Sequence, residues 1–163
     1  MKRGVIAAAL GAALLTAAAA WGLASALPLK SPPKTITQYG YIRSLTPSGK
    51  RYVLKLDPAL WLEGTTAKLA AKEDGQEAFD YYIRNPERSL LTYRVAANVP
   101  VTVVTVHGPV TSTRISVAEL AQIVKGKNPK QRPLIERGSA RHLGYWLKTS
   151  IDTVKSIDQQ YQP

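Results

Sequence analysis

Beyond residue 34 the chain alternates hydrophobic and polar positions over most of its length. In residues 51–57, Tyr52, Leu54 and Leu56 fall on one face and Val53 and Lys55 on the other, the period of a strand with one buried side. Residues 35–45 form a β-rich run, and Thr46-Pro47-Ser48-Gly49-Lys50 between the two predicts a hairpin turn. A second hairpin is predicted from residues 79–84, a turn at Asn85-Pro86-Glu87-Arg88, and residues 90–96. Val101–Val106 carries the strongest strand signal, His107-Gly108-Pro109 ends it, and residues 111–115 pair back on it. Tyr145, Leu147, Thr149, Ile151 and Thr153 then alternate, predicting one last strand of about ten residues. The tail from Lys155 fits a strand, a helical turn or irregular chain.

Two stretches follow a helical period instead. Thr66 caps a short predicted helix that runs through Lys72. Ser116-Val117-Ala118-Glu119 is a capping box, Gly126 stands at the C′ position, and Leu120, Ile123 and Val124 make the buried stripe between them. From Lys127 to Arg141 neither period holds, and Lys127, Lys130, Arg132, Arg137 and Arg141 face Glu136 alone, which predicts a positively charged loop. The pattern as a whole predicts a β-rich α+β fold, an antiparallel sheet or a partly open small barrel with two short helices, preceded by an N-terminal hydrophobic helix.

That helix is the uncharged Ala/Leu-rich run from Gly4 to Leu27 behind Lys2 and Arg3. Small residues at Ala24-Ser25-Ala26 fit a secretory signal cut before Leu27. About 20 apolar residues at 1.5 Å each also cross a bilayer, so an uncleaved anchor fits as well. Either outcome places the rest of the chain outside the cytoplasm, secreted or membrane-anchored. The organisation expected is residues 1–26 as signal or anchor, 27–35 as a proline-containing spacer, and 36–163 as the exported domain. With Lys2 and Arg3 set aside, 20 basic against 11 acidic residues leave a net charge of +9. Such a charge favours an anionic envelope polymer or a lipid surface, or an envelope protein, as partner, and an exported chain seldom meets nucleic acid. The absence of cysteine excludes disulfides, a thiol nucleophile and a lipid-bearing cysteine.

Several segments carry a family resemblance: residues 39–45 (Tyr-Gly-Tyr-Ile-Arg-Ser-Leu), 57–62 (Asp-Pro-Ala-Leu-Trp-Leu) with 64–67, 80–82, 90–93 and 151–161. They resemble a family of small uncharacterised exported or lipid-anchored proteins of high-GC Gram-positive bacteria. The chain departs from that pattern at Leu56 and at Ala78-Phe79-Asp80. The resemblance implies an extracytoplasmic address and no chemistry.

Catalytic arrangements are few. The sequence holds two histidines, His107 and His142, too few for a three-histidine zinc site, and no Gly-x-Ser-x-Gly elbow. No cofactor motif occurs. Asp57 and Glu63, flanking Trp61, are the best candidates for a carboxylate-based envelope hydrolase of glycosidase type. More residues favour a noncatalytic binding or accessory module. Tyr39, Tyr41, Trp61, Tyr81, Tyr82, Tyr93, Tyr145 and Trp146 accompany Arg43, Arg84, Arg88 and Arg94, and such rings stack on sugars while arginine forks grip phosphate or carboxylate. The same rings are strong strand formers and core fillers. Trp61, Tyr82, Arg84 and Asn85 are the predicted ligand contacts. Lys125, Lys127, Lys130, Arg132, Arg137 and Arg141 are the predicted electrostatic contacts.

Overall fold

The computed structural model describes residues 34–86, 89–135 and 143–162. The predicted signal or anchor, residues 27–33 of the spacer, Arg88, Arg137, Arg141 and His142 lie outside the described residues. In chain order the elements are β1 (Thr35–Ser48), β2 (Arg51–Glu63), α1 (Gly64–Glu73), β3 (Tyr81–Arg84), β4 (Leu91–Ala96), β5 (Val101–Val106), β6 (Val110–Ile115), α2 (Val117–Val124), β7 (Tyr145–Ser150) and β8 (Thr153–Gln159).

Five of the strands close on themselves. β1 pairs antiparallel with β2 and β7, β2 with β4, and β7 with β8. The ring shuts where β4 meets β8 in parallel at Arg94 and Thr153, reinforced by the Arg94 amide donating to the Asp152 carbonyl at 2.7 Å. The fold is therefore β-rich, with two helices and a closed five-stranded barrel plus extra strands. Inward-pointing Leu54, Leu56, Val95, Leu147, Val154 and Ile157 fill the barrel and are essentially sealed from solvent. The winding, with a helix between the third and fourth barrel strands, is that of the OB class of Greek-key barrels.

α2 supplies the other side of the core. Ser116 caps it, its hydroxyl accepting from the Glu119 amide at 3.1 Å, and Gly126 takes φ +79° just past its end, as the capping pattern predicts. Val117, Leu120, Ala121 and Ile123 join the barrel residues in one cluster. Among the described residues no helix is long and apolar enough to cross a membrane.

Three expectations fail locally. The predicted 79–96 hairpin does not form, because β3 and β4 both pair with the same edge of β2, at Leu60–Glu63 and Arg51–Leu56 respectively. They run in one direction as a single interrupted strand. Pro58 of β2, which has no amide to donate, lies in the unpaired interval. The predicted last strand is two strands, β7 and β8, joined through Ile151 and Asp152, with Ile151 at φ +56°. No glycine, proline or Asn-Gly pair marks this two-residue turn. Thr66 does not cap α1; the helix begins at Gly64 with Glu63 as its N-cap residue, so Thr66 sits within the first turns.

Candidate binding surface

The outer wall formed by β7, β1, β2 and β3 carries an aromatic cluster. Tyr39 and Trp146 are direct partners across β1 and β7, with ring centroids 5.1 Å apart, and Tyr39 meets Trp61 edge-on at 5.2 Å. Trp61 stacks on Tyr81 at 4.5 Å with planes 8° apart. Two glycines permit this arrangement. Gly40 lets β1 press against the β2 backbone at Asp57 and Pro58, and Gly144 lies directly under the Tyr39 ring. The C-terminal residues tie the cluster down: Gln162 donates to the Tyr39 hydroxyl at 2.6 Å, and the Trp146 indole donates to Gln160 at 3.0 Å. Tyr39 is buried, which pushes its hydroxyl pKa well up. A cleft of about 430 Å³ opens between Trp61 and Trp146, lined also by Leu62, Glu63 and Thr66.

The predicted ligand contacts divide between the two faces of β2 and β3. Trp61 faces the aromatic wall. Tyr82, Arg84 and Asn85 line a groove of about 500 Å³ with Leu60, Asp74 and Gln76. There the Tyr82 hydroxyl donates to Asp74 at 2.9 Å, and Arg84 donates to Asp74 at 2.6 Å and to Glu73 at 3.2 Å. Those bonds hold the Asp74 carboxyl below its usual pKa, Arg84 contributing most. Arg84 is thus neutralised by the end of α1 and offers little to an anionic ligand. Successive tyrosines do point oppositely, Tyr81 onto Trp61 and Tyr82 onto Asp74.

The carboxylate pair does not assemble. Asp57 and Glu63 sit six positions apart on the continuous strand β2, about 20 Å along the chain, whereas a glycosidase needs its carboxyls within about 5–9.5 Å. Asp57 is buried in mid-strand and ion-paired with Arg43, whose Nε donates to it at 2.9 Å. Glu63 accepts from the Trp61 indole at 2.8 Å. Among the described residues no group of three His, Asp or Glu side chains is placed to hold a metal. His107 is exposed in the turn between β5 and β6.

In the described part of the predicted basic loop, residues 127–135, two of the cations are engaged. Arg132 and Lys130 converge on the buried carboxylate of Glu119, which accepts from Lys130 at 3.2 Å and from both arms of Arg132. Arg132, the leading cause, holds the Glu119 carboxyl below its usual pKa. Asn128 brackets this turn, donating to the Arg132 carbonyl at 2.6 Å and accepting from its amide at 2.9 Å. Lys125 and Lys127 are exposed at the end of α2.

Solvent-facing cations also occur on the outer wall of β2 and β4. Arg51, Lys55 and Arg94 are exposed there, with Arg94 directly opposite Val53 and so between the other two. Lys50 continues the row into the β1–β2 turn. Lys50, Arg51 and Lys55 form no ion pair with any described residue, while Arg94 pairs with Asp152. The alternation that identifies residues 51–57 as a strand already puts Arg51 and Lys55 on its polar face; what the sequence lacks is the pairing that adds Arg94. Comparison of the chain with protein-family models, with curated proteins and with solved structures finds no match.

Proposed function

We propose that the protein is a noncatalytic extracytoplasmic binding module that holds an anionic, phosphate- or carboxylate-bearing envelope polymer against the outer wall of β2 and β4. The observation that carries this is the row Lys50, Arg51 and Lys55, none of which is ion-paired with a described residue; Arg94 lies beside them but is shared with Asp152. Side chains on one face of a strand recur every 6–7 Å, roughly, a repeat suited to successive charges of a polyanion. Fold class alone assigns no function, but this same wall of OB-type barrels is one that extended polymers use. The separation of Asp57 from Glu63 along β2 favours this reading over the hydrolase one.

Binding of the purified protein to isolated cell-wall polymer, measured across salt concentrations, tests the proposal. Replacing Arg51 and Lys55 together by alanine is expected to weaken binding about tenfold and to lower the slope of log affinity against log salt by about two. A double variant that binds with unchanged affinity and unchanged slope overturns the assignment.

A further inference from the structure

The two ends of the barrel are unlike. One receives α2 and is sealed by its apolar side chains. At the other end gather the starts of β1, β4 and β8 and the turn between β7 and β8, because these three strands run in the same direction. A hydrogen bond crosses this mouth, Gln38 of β1 donating to the Tyr93 hydroxyl of β4 at 2.6 Å. One step outward on each strand stand Ile36 and Leu91, 47% and 38% exposed, and Leu90 beside them is 44% exposed. Both Ile36 and Leu91 have the inward parity of core residues, yet no described residue covers them as α2 covers the far end. Ile151 projects from the same rim, next to the Thr35–Ser150 pair, 80% exposed and in the left-handed backbone region at φ +56°.

A β-branched residue is poorly suited to that backbone, and neither packing nor propensity accounts for it here. Cations ring the apolar patch: Lys34 where the chain enters β1, Lys148 two residues before the end of β7, and Lys155 two residues into β8, all exposed. Asp152 on the same rim is matched by Arg94. Apolar tips within a basic ring are the chemistry that adsorbs to an anionic bilayer, the side chains entering the headgroup region while the cations meet lipid phosphates. The chain also reaches the barrel at this mouth. Six residues, 28–33, separate Lys34 from the apolar run ending at Leu27, a reach of at most about 25 Å.

We infer that the open mouth of the barrel, with Ile151, Ile36 and Leu91 at its rim and Lys34, Lys148 and Lys155 around them, docks on the surface of an anionic lipid bilayer. The polymer-binding wall of β2 and β4 then stands upright on the membrane and faces sideways.

The chain has no cysteine, so single labels are clean. The full-length protein carrying Ile151→Cys, or Ser48→Cys at the opposite end, is labelled with an environment-sensitive fluorophore and added to vesicles of phosphatidylglycerol and phosphatidylcholine. Expected at position 151 are a blue shift on vesicle addition, quenching by acyl-brominated lipid and loss of quenching by aqueous iodide, none of which occurs at position 48. Replacing Lys34, Lys148 and Lys155 by glutamine reverses the shift at 151. Equal iodide quenching at 151 and 48 in the presence of vesicles overturns the inference. A label at 151 that is already protected without vesicles also overturns it, since the mouth is then covered by this chain or by a second copy.

Discussion

Gly144→Ala is expected to be among the most damaging single-methyl additions in the domain. Gly144 is not in a left-handed conformation, so its role is room and not backbone freedom. A Cβ there would lie 2.6 Å from Cε2 of Tyr39 and would overlap its Cζ and hydroxyl. A long, loose side chain would swing away at little cost. Tyr39 has no such freedom: it is 3% exposed, wedged between Trp61 and Trp146, and bonded to Gln162. Forcing a methyl into such packing costs about 1–3 kcal/mol, and expelling the ring altogether sets a ceiling near the 3–5 kcal/mol, roughly, of an aromatic truncation. The expected loss is about 2–4 kcal/mol, a fall of about 1–2 M in the urea midpoint for a domain of this size. Tryptophan fluorescence is a direct monitor because Trp61 and Trp146 flank Tyr39.

The double variant Gly144→Ala/Tyr39→Leu isolates the cause. With the ring gone the methyl has space, so Gly144→Ala should cost at least about 1 kcal/mol less in the leucine background. Gly49→Ala, where the turn is open but φ is +57°, should cost only about 1 kcal/mol. The reasoning fails if Gly144→Ala is within about 0.5 kcal/mol of the wild type, or if its cost is the same with and without the Tyr39 ring.

Glu119→Gln should destabilise the fold by about 1–3 kcal/mol, because it strands Arg132 and Lys130 beside a buried amide. The folded carboxyl is held below its unfolded value near 4.3, so its contribution is present above that pH and is lost as acid titrates the folded group; equilibrium unfolding from pH 7 down to 3 should therefore show a shallower acid decline in the variant. Arg84→Ala should leave stability almost unchanged and polymer affinity untouched, since Asp74 and Glu73 already neutralise that guanidinium. A large loss of binding in Arg84→Ala would return the site to the groove beside α1.

Where turn or cap residues mark a local hairpin or helix, the fold is legible in the sequence. The β1–β2 hairpin, the β5–β6 hairpin and capped α2 are of this kind, with turn residues and caps at the positions that chemistry demands. The failed hairpin has its cause in strand edges. β2 gives one edge to β4 and then to β3, and β8 meets β4 and then β5 along the other side of the ring. A local pattern reveals that a segment is a strand and not which edge it will share, so 81–84 and 91–96 look like two arms of a hairpin. The turn at Ile151 is invisible for another reason, that its backbone demands a residue type the sequence does not supply there. Tyr82, Arg84 and Asn85 are close in sequence and Tyr82 and Arg84 share a face of β3, but Trp61 pairs with Ile83 and so falls on the opposite face with Tyr81. Within the basic loop, composition counts Lys130 and Arg132 as free charges, when the buried carboxylate of Glu119 is their partner.

The division of β2 also explains why its first half carries cations without acidic partners. The second half of β2 leaves the barrel with α1 and β3, and Glu63, Glu73, Asp74, Glu77 and Asp80 all fall on or beside that lobe. Of the other acidic residues described, Asp57, Glu119 and Asp152 are each held by an arginine, and Asp158 accepts from Thr102 and Ser156. The first half of β2 stays in the barrel, its outer side bare of any helix, and there Arg51 and Lys55 meet no acidic partner. At low ionic strength their field reaches beyond a single side chain, and at about 0.15 M salt it is screened within about 8 Å, so a ligand must lie along the wall to feel all of it. Within that range an extended polyanion meets several of these cations at once and a compact anion meets one, which makes chain length of the ligand, rather than its net charge, the variable to which affinity should respond.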